Sequence, residues 1–381
     1  MAPMTARDLN RATLARQGLL EPIHARSVAA AIERLGSLQA QHPEWPPVAL
    51  AARAVDARGA NLLGALERRS VVRSSLMRIT IHVVSATDLW PMFAVCQPLR
   101  LSQWRLLAKA DPIDSKLGRR MIAAHRTVLA ALREGPRSST ELDRLMAAEV
   151  GPVESAVARI YWRHVAALIP MVHIPHAGEG YGRSMYAVAA DWLDVEPPDV
   201  DLAEARVQVA RRYLGAFGPA SVDDLVAYVG RGRGGVGAWR EAIAALGDEV
   251  ITLRADGGQT LFDLDAAPRP SADTPAPPRL LARWDSILLS HAPKARGRII
   301  ADEHRPAVFS KNADVRPTFL VDGMVAGTWD FARTGGDVMI EIRPFERIEP
   351  ARKAGLESEA QRMLELLEPG TPSRRVRFAP Y

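Results

Sequence analysis

The stretch Gly135-Pro136-Arg137-Ser138-Ser139-Thr140-Glu141-Leu142 recurs later in the chain as Gly218-Pro219-Ala220-Ser221-Val222-Asp223-Asp224-Leu225. Both copies fit the pattern G-P-x-S-x-x-[DE]-L. In each copy the serine occupies the position of a helix N-cap, and the acid three residues later completes a capping box. Two matched helix starts predict that one supersecondary unit is repeated.

The segments that flank the two copies also agree with each other. Each copy has an amphipathic helix before it, a further helix after it and then two strand-like runs. In chain order these segments are 119–133, 153–168, 171–174 and 185–189 around the first copy, and 200–215, 236–246, 249–254 and 259–264 around the second. Helix, capped helix, helix and ribbon is the order of a winged helix. The alternative is two unrelated helical hairpins with similar caps.

The N-terminal region resembles a degenerate copy of the same unit. Its helical patterns cover 5–17, 25–36 and 59–68, and its strand patterns cover 71–73 and 79–84. We therefore expect an α+β protein of three tandem winged helices and a small C-terminal β-rich domain. The expected boundaries are 1–85, 86–198 and 199–265 for the three units, 266–278 for a Pro-rich linker, and 279–381 for the last domain.

The C-terminal domain carries a strong hairpin signal. Residues 319–329 alternate about an Asp322-Gly323 turn, and 338–342 form another strand pattern. A helix is expected at 350–367, and the alternating tail has the pattern of an edge strand. The hairpin is either an element that enters a groove of duplex DNA or an ordinary edge hairpin.

The composition excludes several classes of protein and of metal site. The chain has 381 residues and one cysteine, Cys96, which excludes an intrachain disulfide and a cysteine-rich zinc site. A reducing, cytoplasmic setting is expected, and no apolar run is long enough to span a membrane. The net charge is +5, and 44 of the 49 basic residues are arginine. This bias indicates phosphate contact or, equally, a GC-rich genome.

The sequence contains no familiar catalytic or cofactor-binding motif in its usual structural context. Residues 230–237 contain G-x-G-x-x-G, but a capped helix and not a strand precedes them, so a dinucleotide site is rejected. The histidines form no metal box, and neither a metal nor a cofactor is expected. Arg231 and Arg233 in this turn are candidate phosphate contacts, or part of a solvated turn without a ligand.

The exception is the segment Leu38-Gln39-Ala40-Gln41-His42-Pro43-Glu44-Trp45-Pro46-Pro47. It follows an apolar helix that Gly36 is suited to cap. In an extended segment, Gln39 and Gln41 share one face, so two amides would point together. The stiff Trp45-Pro46-Pro47 that follows would hold them there. The ordinary interpretation is a pair of surface glutamines.

With further motifs, this segment resembles the AlkZ/YcaQ superfamily of bacterial winged-helix DNA glycosylases, which act on interstrand crosslinks and related alkylated bases. The matching stretches, in order, are 9–20, Leu38–Gln41, Arg78-Ile79-Thr80-Ile81-His82, Trp284–His291, Arg316–Gly323 and Gly327-Thr328-Trp329. The resemblance implies three tandem winged helices and a small β domain around a basic channel for double-stranded DNA. One departure is Pro293-Lys294, where the family has an acid and a base.

In that family the catalytic motif is glutamine, any residue, then glutamine or aspartate. The resemblance therefore implies that Gln39 and Gln41 are catalytic, in the two-glutamine form that is associated with self-resistance to a DNA-crosslinking antibiotic. An amide has no useful pKa. An N7-alkylated guanine is already cationic and leaves as a neutral base, so no catalytic acid is needed. Positioning water and stabilising the oxocarbenium-like sugar would suffice.

The predicted substrate is thus duplex DNA that carries alkylated or crosslinked purines, bound by a monomer without an obligate protein partner. The candidate phosphate contacts are Arg78, Arg231, Arg233, Arg296, Arg298 and Arg316. Two alternatives remain open at this stage. One is a winged-helix DNA-binding regulator without catalysis, and the other is a scaffold that uses winged helices to dock proteins.

Overall fold

The structure is a computed structural model that describes residues 2–54, 59–111, 113–150, 164–176, 180–230, 235–311, 314–334 and 336–380. It is a mixed α and β chain. Within these ranges, no helix has the length and apolarity that crossing a membrane requires.

Short helices and short strands alternate in the N-terminal region. They are α1 (Ala6–Arg16), α2 (Val28–Leu35), β1 (Leu38–Gln39), α3 (Trp45–Ala51), α4 (Gly59–Glu67), β2 (Val71–Ser75), β3 (Ile81–Ser85) and α5 (Ala86–Ala108). Both β1 and β2 pair antiparallel with β3.

The same order of elements follows twice more. The next elements are α6 (Lys116–Glu134), β4 (Arg137–Ser138), α7 (Ser139–Val150), α8 (164–168), β5 (Met171–His176), β6 (Gly180–Val188) and α9 (Ala189–Leu193). Then come α10 (Leu202–Phe217), α11 (Val222–Val229), α12 (Gly235–Ala244), β7 (Val250–Arg254) and β8 (Thr260–Leu264). Most of the predicted helix 153–168 lies outside the described residues.

The predicted capping boxes are confirmed. The Ser221 hydroxyl accepts from the Asp224 N–H at 3.2 Å, and Asp224 Oδ2 accepts from the Ser221 N–H at 2.9 Å. Ser138 and Glu141 make the same reciprocal bonds at 3.3 and 2.8 Å. Each box satisfies backbone donors that a helix start leaves free. The two repeated sequences therefore form the same local structure.

The N-terminal copy differs in detail from the expected one. Helices α2, α3 and α4, followed by β2 and β3, match the order of the other copies, whereas α1 stands outside it. The expected stiff segment at Trp45 is in fact the start of α3, with Pro46 and Pro47 in its first turn. Proline is tolerated there because the first helical N–H groups have no intrahelical partner.

The first and second copies share one six-stranded sheet in the order β1-β3-β2-β5-β6-β4. The pairing of β2 with β5 joins the two copies, with Arg73 opposite His173. A separate two-stranded sheet, β7-β8, belongs to the third copy. The first two copies therefore form one continuous β layer.

The C-terminal region is rich in strands, as expected. Its elements are β9 (Arg279–Leu281), α13 (Ser286–Leu289), α14 (Arg305–Val308), β10 (Thr318–Val321), β11 (Met324–Thr334), β12 (Asp337–Pro344), α15 (Pro350–Leu367) and β13 (Ser373–Phe378). They form a five-stranded sheet in the order β13-β12-β11-β10-β9. The tail strand β13 lies at the edge and runs parallel to β12.

This sheet and the first copy share one hydrophobic core. Trp329 on β11 is 1% exposed, and its indole N–H donates to the Leu281 carbonyl at 2.9 Å. A buried ion pair also joins the two parts of the chain. It is formed by Arg53, just after α3, and Asp285, the N-cap of α13, at 2.5 Å. The side chains of Arg53 and Asp285 are 1% and 0% exposed.

Removing one partner of this pair is expected to destabilise the protein strongly. Asp285→Asn leaves the Arg53 charge buried without a counter-ion, which costs about 3–5 kcal/mol of unfolding free energy. Glu249→Gln is the matched control, because Glu249 pairs with Arg211 at the surface and such pairs contribute less than about 1 kcal/mol. Urea unfolding of both variants measures the difference, and equal losses would contradict the prediction.

Helix α1 packs against the turn of the hairpin β10-β11 in the C-terminal sheet. Arg11 pairs with Asp322 at 2.5 Å, and Asn10 donates to the carbonyls of Gly323 and Arg298 at 2.8 Å. A Cβ added at Gly323 would lie within 2.7 Å of Asn10, Arg11 and Leu14. The hairpin forms as predicted, and its turn packs against α1, which favours an ordinary hairpin over one that enters a DNA groove.

Candidate catalytic site

The two predicted glutamines lie at the end of β1, an edge strand of the six-stranded sheet. β1 ends at Gln39, which pairs with His82 on β3, and the Ala40 N–H donates to the Ile81 carbonyl at 2.7 Å. Gln39 is 8% exposed and Ala40 is 0% exposed, whereas Gln41 is exposed. The chain therefore leaves the core between the two glutamines.

The amide of Gln39 is held by an arginine. Its Oε1 accepts from Arg78 Nη2 at 2.7 Å. A guanidinium group only donates, so the amide atom that faces it is the oxygen. Within the residues that the structure describes, Nε2 of Gln39 has no protein partner and is not fully buried, so this donor is available to an incoming group.

Arg78 is fixed from several sides. Its Nη1 donates to the Tyr228 carbonyl on α11 at 2.6 Å, and its guanidinium carbon lies 5.7 Å from the centre of the Tyr228 ring. Its backbone is in the left-handed region, with φ 53°. Burial lowers the pKa of Arg78 to about 10, so it stays charged at neutral pH.

His82 completes the network as a neutral ring. Burial, and then the nearby charge of Arg78, lower the pKa of His82 to about 3. Nδ1 lies 3.0 Å from the Thr80 carbonyl, and Nε2 lies 3.3 Å from Arg78 Nη2. Because the carbonyl can only accept and the guanidinium can only donate, the proton of this neutral ring is on Nδ1.

Gln41 contacts the same chain segment from the solvent side. Its Oε1 accepts from the Ile81 N–H at 3.3 Å. Both amide oxygens therefore receive hydrogen bonds from residues 78–81, and each oxygen keeps a second lone pair. Beyond Gln41, the His42 ring stacks on Trp284 with centroids 5.0 Å apart, which ties this turn to the stretch 284–291 of the family motifs.

The predicted phosphate contacts lie in different environments. Arg316 is exposed, and Arg296 is partly buried with its guanidinium 4.9 Å from the Phe309 ring centre. Arg231 and Arg233 lie outside the described residues. Arg78 directs both of its terminal nitrogens to protein groups.

Arg298 requires a correction. It is 4% exposed, and its Nη1 donates to the Pro219 carbonyl at 2.9 Å and lies 3.2 Å from Nε2 of His291. A guanidinium committed to this buried network does not reach a phosphate. No local sequence pattern predicted the burial of Arg298, and the residue before it, Gly297, is exposed.

Sequence reasoning also missed the role of Tyr228 and assigned none to His82. Tyr228 lies 150 positions after Arg78, so no local pattern connects them. For His82 a signal was present, since Arg78 and His82 belong to one family stretch.

The class of protein is shown by a family match over most of the sequence. The sequence matches the family of AlkZ-like DNA glycosylases over residues 32–366, and the chain belongs to that family. The family resemblance seen in the sequence is thereby confirmed. Enzymes of this class hydrolyse N-glycosidic bonds.

The chain is also similar to two proteins from Streptomyces sahachiroi. The first is an interstrand DNA cross-link repair glycosylase, 27% identical over 209 residues, which are 54% of this chain and 53% of that protein. The match thus spans about half the length of that relative. The second is the solved structure of the DNA glycosylase AlkZ, with a TM-score of 0.80, 20% identity, and coverage of 99% of this chain and 100% of that one. The second likeness shows the shared fold.

Proposed function

We propose that this chain hydrolyses the N-glycosidic bond of cationic N7-alkylated purines in duplex DNA, including the purines of interstrand crosslinks. The observation that supports this most directly is the pair Gln39 and Gln41, which leaves the core at the end of β1 beside a charged and fixed Arg78. The proposed enzyme is monofunctional and needs neither a metal nor a cofactor.

The proposed hydrolysis requires no catalytic acid from the protein. The C1′–N9 bond breaks with its electron pair going to the base, which neutralises the positive ring. The oxygen of a water molecule then bonds to C1′, and the surplus proton passes to solvent. Neutral amides suffice because they only need to hold the water and stabilise the sugar cation through oriented dipoles. Gln39 and Gln41 place two amides within three residues of the chain. One amide can hold the water while the oxygen of the other faces the sugar.

The three repeated units are proposed to be winged helices, with boundaries near 1–85, 86–198 and 199–265, around a basic channel for duplex DNA. Each has a helix, a capped or Pro-started helix, a further helix and a hairpin in the same order, and the first two units also have a short strand after their first helix. The Pro-rich linker 266–278 is tied to α1, because Arg11 Nε donates to the Thr274 carbonyl at 2.7 Å. An open channel suits a crosslinked purine, which cannot swing freely into a closed pocket.

The deciding experiment compares a duplex that carries one N7-methylguanine with a duplex that carries an N7-guanine crosslink. The proposed function predicts release of free modified base and an alkali-labile abasic site from the first, and separation of the strands from the second. An unmodified duplex is the control. Tight binding without base release would favour the DNA-binding regulator instead.

Salt dependence tests the exposed arginine of the proposed channel. We expect Arg316→Ala to weaken duplex binding and to reduce the slope of log affinity against log salt by about 0.9, since one phosphate contact is lost. Arg7→Ala is the control, because Arg7 is already paired with Asp322 at 2.9 Å. Fluorescence anisotropy at several salt concentrations measures both slopes. An unchanged slope for Arg316→Ala would exclude this contact.

A further inference from the structure

We infer that Arg78 is a positioning residue that turns the Gln39 amide so that Nε2, a donor, faces the substrate, which leaves Gln41 as the hydrogen-bond acceptor of the pair. The inference rests on the function proposed above. It assigns different roles to two residues that are chemically identical in sequence.

The orientation follows from the donor inventory. Arg78 has no acceptor atom, so a Gln39 amide rotated by half a turn would place Nε2 against Nη2 and lose the bond at 2.7 Å. A hydrogen bond to a charged donor is shorter and stronger than one between neutral groups. That preference holds the amide in one orientation almost all of the time.

Arg78 can orient the Gln39 amide because contacts with the third copy keep its guanidinium group in place. Tyr228 on α11 contributes its carbonyl at 2.6 Å, and its hydroxyl lies 3.0 Å from the Ser37 hydroxyl, just before β1. Gly230 lies so close that an added Cβ would be 3.3 Å from the Arg78 Cα. The Gln39 amide is thus positioned by a helix of another copy.

His82 supports the same arrangement from the other side. With its proton on Nδ1, its Nε2 presents a lone pair to Arg78 Nη2 at 3.3 Å. The guanidinium therefore faces three acceptors: the Gln39 amide, the Tyr228 carbonyl and the His82 ring. A Gln39 amide in the opposite orientation would present Nε2 to Arg78, and Nε2 cannot accept a hydrogen bond.

Gln41 is held far less firmly. It is exposed, and its bond to the Ile81 N–H is 3.3 Å long. Its oxygen nevertheless accepts from Ile81, the neighbour in sequence of His82, which pairs with Gln39. In the proposed reaction, the attacking water accepts a hydrogen bond from Gln39 Nε2 and donates one to Gln41 Oε1. Its remaining lone pair bonds to C1′ as the neutral base departs, and its proton moves on to solvent.

Two isosteric variants separate the roles of the two glutamines. Gln39→Glu keeps the partner of Arg78 but replaces the outward donor by an acceptor, so single-turnover release of N7-methylguanine should fall by about 10²-fold. Gln41→Glu keeps an acceptor oxygen, so the rate should stay within about tenfold of the wild type. The opposite ranking, or equal effects, would overturn the inference.

A double-mutant cycle tests the role of Arg78 itself. Arg78→Met should slow release by about 10²-fold while the Kd for duplex DNA changes by less than about threefold, and Arg78→Lys should restore part of the rate. Adding Arg78→Met to Gln39→Ala should cause little further loss, because both changes remove one interaction. Adding it to Gln41→Ala should slow the reaction further.

The control is Arg362→Met on α15, which removes a partly buried guanidinium from Glu359 and from the Ala51 carbonyl and should leave the rate unchanged. Losses that add in the Gln39→Ala background, or a large rise in Kd for Arg78→Met, would show that Arg78 acts through DNA contact or general stability. If the wild type releases no base from either alkylated duplex, both the proposed function and this inference fall. Wild-type release with additive variants overturns the inference alone.

Discussion

Replacing both glutamines, Gln39→Ala with Gln41→Ala, is expected to lower the single-turnover rate of N7-methylguanine release by about 10²–10⁴-fold. The leaving base needs no proton, so the enzyme contributes mainly by placing water and oriented dipoles at the sugar. Both dipoles are lost in this variant. Wild-type rates in a correctly folded double variant would remove these residues from the mechanism.

The same variant should remain folded. The Gln39 backbone keeps its pairing with β3, and Gln41 lies at the surface, where truncation has little effect on packing. Arg78 loses one acceptor but keeps the Tyr228 carbonyl and the His82 ring. We expect a destabilisation of about 1–3 kcal/mol, measured by urea unfolding, and an unchanged far-UV circular dichroism spectrum.

Acid is expected to destabilise this protein well above the pH at which carboxylates titrate. Burial lowers the pKa of His82 and of His173 from 6.5 to about 3. In the unfolded chain both rings take up a proton below about pH 6.5, whereas in the folded protein they remain neutral down to about pH 3. The unfolded state therefore binds more protons across this window, and stability falls as the pH falls.

The expected loss between pH 7 and pH 5 is about 2 kcal/mol for each of these two histidines, or about 4 kcal/mol together. His291, which is 1% exposed, has its pKa lowered by burial and adds to the loss in the same direction. This is a large share of the 5–15 kcal/mol that is typical of a folded protein.

Urea unfolding at pH 7 and at pH 5 measures the effect. His173→Gln is the matched control: it replaces one buried neutral ring by a neutral amide that does not titrate. It should reduce the loss between the two pH values by about 2 kcal/mol. A free energy of unfolding that is flat over this range would show that these rings accept protons in the folded state.

Several features of this protein were predictable because they depend on neighbouring residues. The capping boxes at Ser138 and Ser221 need only an acid three positions later. The hairpin turn at Asp322-Gly323 has both residues at positive φ, 48° and 80°, as a two-residue turn of this kind requires. The helix predicted at 350–367 is confirmed as α15.

Helix α5 was not predicted, although it is 23 residues long. Pro91 and Pro98 lie inside it, and internal prolines normally end a helix because they remove a hydrogen bond and clash with the preceding turn. Here Leu89, Met92 and Cys96 are each at most 1% exposed in the core that the third copy shares. Burial of that face outweighs the local cost, and local patterns do not contain this information.

The sequence by itself determined the repeated units, their caps, the C-terminal hairpin and the two glutamines as the candidate site, because each is defined by residues within a few positions of one another. Only the tertiary structure decided how those glutamines are held. Arg78 meets Tyr228 across 150 positions, Arg298 is buried, and α1 covers the hairpin turn. The physical reason is that hydrogen bonds and burial act over a few ångströms in space, and folding brings distant chain segments within that range.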